Sequence, residues 1–358
     1  MAPLRMAIVG AGRLGTALAA MMAGTTEFSI EVIDHSEDAL ERLAKRERSV
    51  RTRLVRQRED LAGALANMDV TVAAVPDTAR AYVAEAAVKA GTHYLDFAPA
   101  RGRVRESLTA LSQTKAVFAG CGVSPGLIDN MANNLLKSFG PASDLIIRVG
   151  SIPRFPTNRL GYGQIWNIDG LIDEYTKPCN AIRDSRTVSI EPLGDYERIN
   201  VDGTTYEAFT TAGGTDDLDW LAPTNPRNVT FKTLRYPGHL EYMRFLLDDL
   251  GLRARRDMLR NLLLNGLPVV EDDVLLLILT VRGLLDGRLV EKTTCHRFVP
   301  AGSTGPCNAL TGVAVGYAAT LLSMLAKGAV APNGMVPHQL IDTQHLLSQQ
   351  FLFPLQQN

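Results

Sequence analysis

The chain has 358 residues, with 37 Lys and Arg against 38 Asp and Glu and a formal net charge of −1. At 46% apolar residues it is long enough to bury two or more cores, and its balanced charge offers no general attraction for nucleic acid or an anionic membrane. No apolar run free of interruption reaches the ~18–20 residues that a bilayer span requires, and Cys121, Cys179, Cys295 and Cys307 form no CxxC pair, so neither a zinc site nor a disulfide framework is expected.

The first element is a predicted strand at 5–9, entered with no secretory leader before it. A cytosolic, metal-independent protein is therefore the expectation. Gly10-Ala11-Gly12-Arg13-Leu14-Gly15 follows, and then a predicted helix at 16–23 and a second strand at 28–33 that ends in Asp34, 24 residues beyond Gly10. Strand, glycine turn, helix and an acid at that distance make a dinucleotide-binding fingerprint. Gly10 permits the tight turn, Gly12 lets backbone N–H groups approach a pyrophosphate, and Gly15 lets helix and strand come together. The phosphates would sit on the positive helix end. Asp34 would accept hydrogen bonds from the ribose hydroxyls and repel a 2′-phosphate, favouring NAD over NADP. The basic stretch 42–58 holds eight Lys and Arg; it reads as a solvated face, with a 2′-phosphate site as the alternative.

A strand at 69–75 ends in Val75 and Pro76, a helix at 79–90 stops at Gly91, and short strands follow at 94–97 and 116–119. This alternation predicts a doubly wound parallel sheet, whose ligands bind beyond the carboxyl ends of the strands. Pro76-Asp77, the segment 96–98 and the segment 120–126 fall on that edge. From 144 to about 298 the rhythm turns to strands at 145–149, 187–190, 197–201, 205–209, 275–282 and 289–293, with an Asp286-Gly287 hairpin turn and helices at 168–175 and 238–250. The expected organisation is a Rossmann domain at 1–127, an α+β domain with a mainly antiparallel sheet at 128–306, and a C-terminal portion at 307–358 returning to the first domain. Its helix at 309–325 is apolar all round and so expected to be buried.

In collinear order the chain carries the glycine fingerprint, GCGVSPGLIDNMA at 120–132, YGQIWNIDGLIDEYTKP at 162–178, EAFTTAGGTDDL at 207–218, TLRYPGHLE at 233–241 and a late GYAATLLS helix. These resemble the saccharopine dehydrogenase-like superfamily, and within it the L-lysine 6-dehydrogenases, whose length the chain also suits. The chain departs from the resemblance at Trp166-Asn167-Ile168, where relatives carry WSP, and at the acidic Asp216-Asp217. The resemblance implies NAD-dependent oxidation of the ε-amine of L-lysine to a semialdehyde that cyclises, with a small-molecule amine as substrate and a homodimer as the assembly. A saccharopine- or carboxynorspermidine-type dehydrogenase, acting on a secondary amine, is the alternative. That reaction must hold a second carboxylate, for which Arg154 and Arg159 are candidates. A nucleotide-sensing protein that has lost catalysis is a third reading.

Oxidising an amine requires a free nitrogen lone pair, so the site must desolvate an ammonium whose pKa is near 10.4, or a base must take its proton. His239 is the first candidate, with Asp96 and Asp129 at the cofactor edge as further ones. Each also has a purely local reading: His239 as a loop bridge, Asp96 bonded to turn N–H groups, Asp129 compensating a helix dipole. Arg235 would grip a carboxylate or tie down its own loop. Glu241 would meet the substrate ammonium or stabilise its helix. Tyr162 and Trp166 would wall the pocket or belong to the core. Gly213-Gly214-Thr215 would offer backbone N–H groups to a carboxylate or be a plain turn.

Overall fold

The computed structural model describes residues 2–214, 221, 225–301 and 307–357. Among the described residues two compact units emerge: one of 2–130, 307 and 311–354, and one of 131–214, 221, 225–301, 308–310 and 355–357. Residues 355–357 thus belong to the second unit, and the expected boundary at 306 lies outside the described residues.

The first unit is a seven-stranded sheet in the order β15-β6-β5-β4-β1-β2-β3. Its strands are β1 (Leu4–Val9), β2 (Phe28–Asp34), β3 (Arg51–Leu54), β4 (Val70–Ala73), β5 (His93–Asp96), β6 (Ala116–Phe118) and β15 (Gly334–Met335), all paired in parallel. Helices α1 (Arg13–Met22), α2 (Glu37–Arg46), α3 (Leu61–Leu65), α4 (Asp77–Ala90) and α5 (Gly102–Ser112) form the crossovers. The core gathers Ala7, Val9, Leu65, Ala84, Tyr94, Leu108 and Val117. This is the doubly wound sheet expected from the alternation of strands and helices.

The second unit holds a mixed, mostly antiparallel sheet, β10-β11-β12-β7-β13-β14, with β8 pairing β12 and β9 off this path. Its strands are β7 (Ala142–Pro153), β8 (Cys179–Arg183), β9 (Arg186–Ile190), β10 (Glu197–Val201), β11 (Thr204–Thr210), β12 (Asn228–Arg235), β13 (Asp273–Leu285) and β14 (Arg288–Phe298). Only β12 and β7 run parallel within the described sheet. Strand alternation splits β11 between two cores: Tyr206 and Ala208 join Ile152, Leu234 and Ile278, whereas Phe209 joins Tyr162, Tyr175, Leu240 and Leu263. That second core is covered by α7 (Ile168–Thr176), α8 (His239–Arg244) and α9 (Arg256–Gly266).

The expected helix at 238–250 is α8 followed by one π turn, Phe245–Asp249. The predicted hairpin is present, with Asp286 and Gly287 at φ 49° and 77° between β13 and β14. Helices α6 (Leu127–Leu136), α10 (Ala309–Ala326) and α11 (Thr343–Leu347) complete the chain. The 18-residue α10 is the one helix among the described residues long and apolar enough to cross a bilayer, and 83% of it is buried within the protein. Its composition is that of a core helix, as expected.

Candidate functional site

The glycine turn between β1 and α1 is built for close approach. Gly10 has φ +111°, and a Cβ on it or on Gly15 would strike backbone, at Ala74 O and at Gly10 O respectively. A Cβ at Gly12, the residue that opens α1, would meet no protein atom within 4 Å. The first and third glycines are thus consumed by packing, while the second faces open space at the positive end of a ten-residue helix. That is the shape a pyrophosphate needs. Gly12 and Arg13 are exposed and Leu14 half-buried, so the turn is available to a ligand.

Asp34 has a second duty. Its Oδ2 accepts from Ala11 N at 2.6 Å and its Oδ1 from Ser36 N at 2.8 Å, so the carboxylate ties the glycine turn to the end of β2. The basic stretch is largely engaged within the protein. Arg51 donates to Ser29, Arg53 to Ala64 O, Arg56 pairs with Glu37 at 2.7 Å, and Arg58 lies 4.1 Å over the Tyr82 ring. Val75 and Pro76 lie at the carboxyl end of β4, half-buried and exposed respectively.

Asp96 and Asp129 are both buried at the same edge and engaged with the protein around them. Asp96 is fully buried and takes hydrogen bonds from Arg80 Nε and Nη2, Tyr94 Oη and Gly120 N, with the Arg80 pair at 2.6 Å. Arg80 Nη2 also reaches the carbonyls of Ala98 and Pro99, so this ion pair fixes the turn after β5. Asp129 is 4% exposed and accepts from Gly126 N at 2.8 Å, capping α6. Both carboxylates are already engaged within the protein, Asp96 mainly by Arg80 and Tyr94 and Asp129 by the backbone of Gly126, which counts against their expected role as proton acceptors.

In the second unit the motif residues converge. Arg235, the last residue of β12, sends Nε to Tyr175 Oη at 2.9 Å. That hydroxyl lies 3.0 Å from His239 Nε2, and His239 Nδ1 is 2.9 Å from Leu160 O. A carbonyl only accepts, so Nδ1 carries the proton and Nε2 accepts from Tyr175. The line of donation is Arg235 to Tyr175 to His239 to Leu160. Arg235 Cζ also lies 4.5 Å over the Tyr162 ring, and Trp166 Nε1 donates to Tyr162 Oη at 3.2 Å. Glu207 accepts from Gly238 N and Leu240 N, holding the turn that delivers His239.

These positions correct two expectations. His239 is completely buried, and burial, assisted by the Arg235 charge, lowers its pKa to about 3. A neutral ring with both nitrogens engaged is a positioning group and not the base for an ammonium. Arg235 is 3% exposed, with Tyr175, Leu234 O and Glu174 as partners, so it organises the cluster rather than gripping a ligand. Tyr162 is 1% exposed and belongs to the buried core, with the half-buried Trp166 packed against it. Glu241 points away as an exposed first-turn residue of α8. Gly213, at φ +96°, has open space where a Cβ would stand, whereas Gly214 is pressed against the Phe231 ring. Thr215 and Asp216-Asp217 lie outside the described residues.

Sequence reasoning passed over Glu174 and Tyr175, although both lie inside the quoted segment 162–178. Glu174 Oε2 is buried without a hydrogen-bond partner and lies 3.6 Å from Arg235 Nη2. Burial raises its pKa to about 7, with Arg235 opposing. Among the described residues no group of three or more His, Cys, Asp or Glu has a metal-holding arrangement.

Comparison with known proteins covers nearly the whole chain. Residues 6–118 match the saccharopine dehydrogenase NADP binding domain, and residues 122–357 match the saccharopine dehydrogenase C-terminal domain. Among solved structures, the apo saccharopine dehydrogenase (L-Glu forming) of Saccharomyces cerevisiae superposes with a TM-score of 0.78 at 15% identity, covering 96% of this chain and 97% of that one. A homospermidine synthase of Legionella pneumophila in complex with NAD gives 0.67 at 13% identity, covering 99% and 90%. The end-to-end match with the yeast chain means that length does not separate lysine from saccharopine dehydrogenases.

Proposed function

Because the chain belongs to the saccharopine dehydrogenase family, we propose that it is a nicotinamide-dependent oxidoreductase acting on the carbon–nitrogen bond of an amine, with the ε-amine of L-lysine as its substrate. The observation that carries this reading is the buried Arg235–Tyr175–His239 line with the carboxylate of Glu174 at its end. Such a cluster suits a cationic nitrogen, which must be desolvated and deprotonated before its carbon can be oxidised.

The residues around the glycine turn fit a dinucleotide: the N–H groups opening α1 and the open face of Gly12 would hold its pyrophosphate. When bound, the nicotinamide supplies a two-electron acceptor for hydride. We assign NAD as the form used, since Asp34 closes β2 with a carboxylate and the neighbouring arginines are already engaged. On the substrate side, the chain orients the amine against Glu174, excludes water with Tyr162 and Trp166, and offers the open Gly213 turn to the carboxylate. Hydrolysis of the resulting imine releases ammonia and the semialdehyde, which cyclises.

The family description itself favours a second reading, oxidation of a secondary amine such as saccharopine. Against it, the cations available for a second carboxylate are poorly placed. Arg154 is exposed and paired with Asp272 at 3.1 Å, and Arg159 is exposed. The test is a panel of L-lysine, L-ornithine, saccharopine, carboxynorspermidine and putrescine with NAD or NADP, followed by the absorbance of the reduced cofactor. Reduction of NAD with L-lysine is expected; reduction by saccharopine or carboxynorspermidine alone would transfer the assignment to the second reading.

A further inference from the structure

We propose, building on the amine-oxidising reading, that Glu174 is the catalytic base: its carboxylate receives the substrate's primary alkylammonium and takes one of its protons. Three features single it out. The first is a missing partner. Five buried side-chain polar atoms among the described residues lack a hydrogen bond, and Glu174 Oε2 is the one that belongs to the Arg235 cluster. An alkylammonium brings three N–H donors, at least one of which an acceptor-only carboxylate can satisfy.

The second feature is access. Tyr175 and His239 are wholly buried, Tyr162 is 1% exposed and Arg235 3%, whereas the Glu174 side chain keeps 23% of its surface open. Of these five side chains only that of Glu174 keeps more than a few per cent of its surface open, although its Oε2 is itself closed to solvent. The third feature is the looseness of the existing pair. Arg235 Nη2 stands 3.6 Å away, beyond hydrogen-bond length, while Nε and Nη1 are committed to Tyr175 and Leu234 O. The guanidinium supports a negative charge on Glu174 without occupying the oxygen. Meanwhile Glu174 O accepts from Ala212 N, which fixes the residue beside the Gly213 turn.

The charged and titratable groups around Glu174 are Arg235 of β12, Tyr175 of α7 and Tyr162, with neutral His239 behind Tyr175. Both tyrosines are raised by burial and stay uncharged. Burial brings Glu174 to about 7, where a carboxylate can both hold and release a proton near neutrality. In the step itself, an N–H bond of the ammonium breaks and the proton passes to Glu174, leaving a neutral amine. The C–H bond on the adjacent carbon then breaks, its electron pair leaving as hydride to oxidised nicotinamide. The substrate is oxidised to the iminium ion and the cofactor reduced.

The experiment compares the pH dependence of kcat/KM for wild type, Glu174→Gln and Glu174→Asp, with L-lysine and NAD, while NADH binding and thermal unfolding report on the fold. The wild type should gain activity as pH rises through about 7. Glu174→Gln should lose roughly 10²–10⁴-fold in kcat, and its residual activity should rise only toward the substrate's own pKa, about 10.4. Glu174→Asp should keep the limb near neutrality at a reduced rate, and decides the matter if the Gln variant does not fold. A Gln variant with the wild-type rate or limb, or an Asp variant without that limb, would overturn the role of Glu174 alone. Wild-type silence toward every amine in the panel would overturn the amine-oxidising reading and this proposal with it.

Discussion

His239 and Glu174 show how burial decides the chemistry of single residues. Both lose solvent, and the charged form of each is disfavoured in opposite directions: the imidazole falls to about 3 and the carboxyl rises to about 7. The consequences for stability have opposite signs. His239 contributes stability that is complete above its unfolded pKa near 6.5 and erodes as pH falls toward 3, about 2 kcal/mol by pH 5. Glu174 contributes stability that is complete below its unfolded value and is lost as pH rises through 7. The two offset each other in the wild type between about pH 7 and pH 5. Removing the second by Glu174→Gln should expose the first, so the melting temperature of the variant should fall more steeply on acidification than that of the wild type. Parallel melting curves would contradict this. Tyr175→Phe, in turn, strands Arg235 Nε and His239 Nε2 without partners, and should cost about 1–3 kcal/mol in chemical denaturation. At this scale the sequence pointed to His239 and Arg235 because they sit together in RYPGH, whereas Tyr175, 60 residues before Arg235, acquires its role only through folding.

The elements legible from sequence were those with a strong local signature. The strand, glycine turn and helix of 4–22 are such a case, and so is the Asp286-Gly287 hairpin. Other elements left no such trace. The β8–β9 hairpin turns on Asp184 and Ser185 at φ 49° and 61°, a left-handed pair without glycine. Strand β3 reads Arg-Thr-Arg-Leu and lies at the sheet edge, where an exposed, charged strand carries no apolar run. Within the first turn the packing is decisive. Gly15→Val would drive a branched side chain into Gly10 O and Ala74 Cβ, so NADH binding should weaken at least roughly tenfold (~1.4 kcal/mol), read by the fluorescence of the bound cofactor. Binding equal to wild type would show that the turn does not cradle the dinucleotide.

Across the whole molecule, a doubly wound sheet and a mixed sheet divide the work. The first presents an open glycine turn at a helix end; the second buries the Arg235–Tyr175–His239 cluster to which the proposed function assigns a cationic nitrogen. The fold class was readable because alternating strands and helices permit few topologies. The cluster proposed for the substrate was only partly readable, since the groups that make it belong to α7, β11, β12 and α8 and meet through the sheet's register. The measurement that goes straight to the central claim uses L-lysine deuterated at C6, incubated with NAD and the enzyme, with mass spectrometry of the reduced cofactor. NADH carrying one deuterium is the predicted result, because in the proposed reaction the hydride comes from the carbon bearing the ε-amine. NADH formed without deuterium, or no NADH at all from lysine, would contradict it.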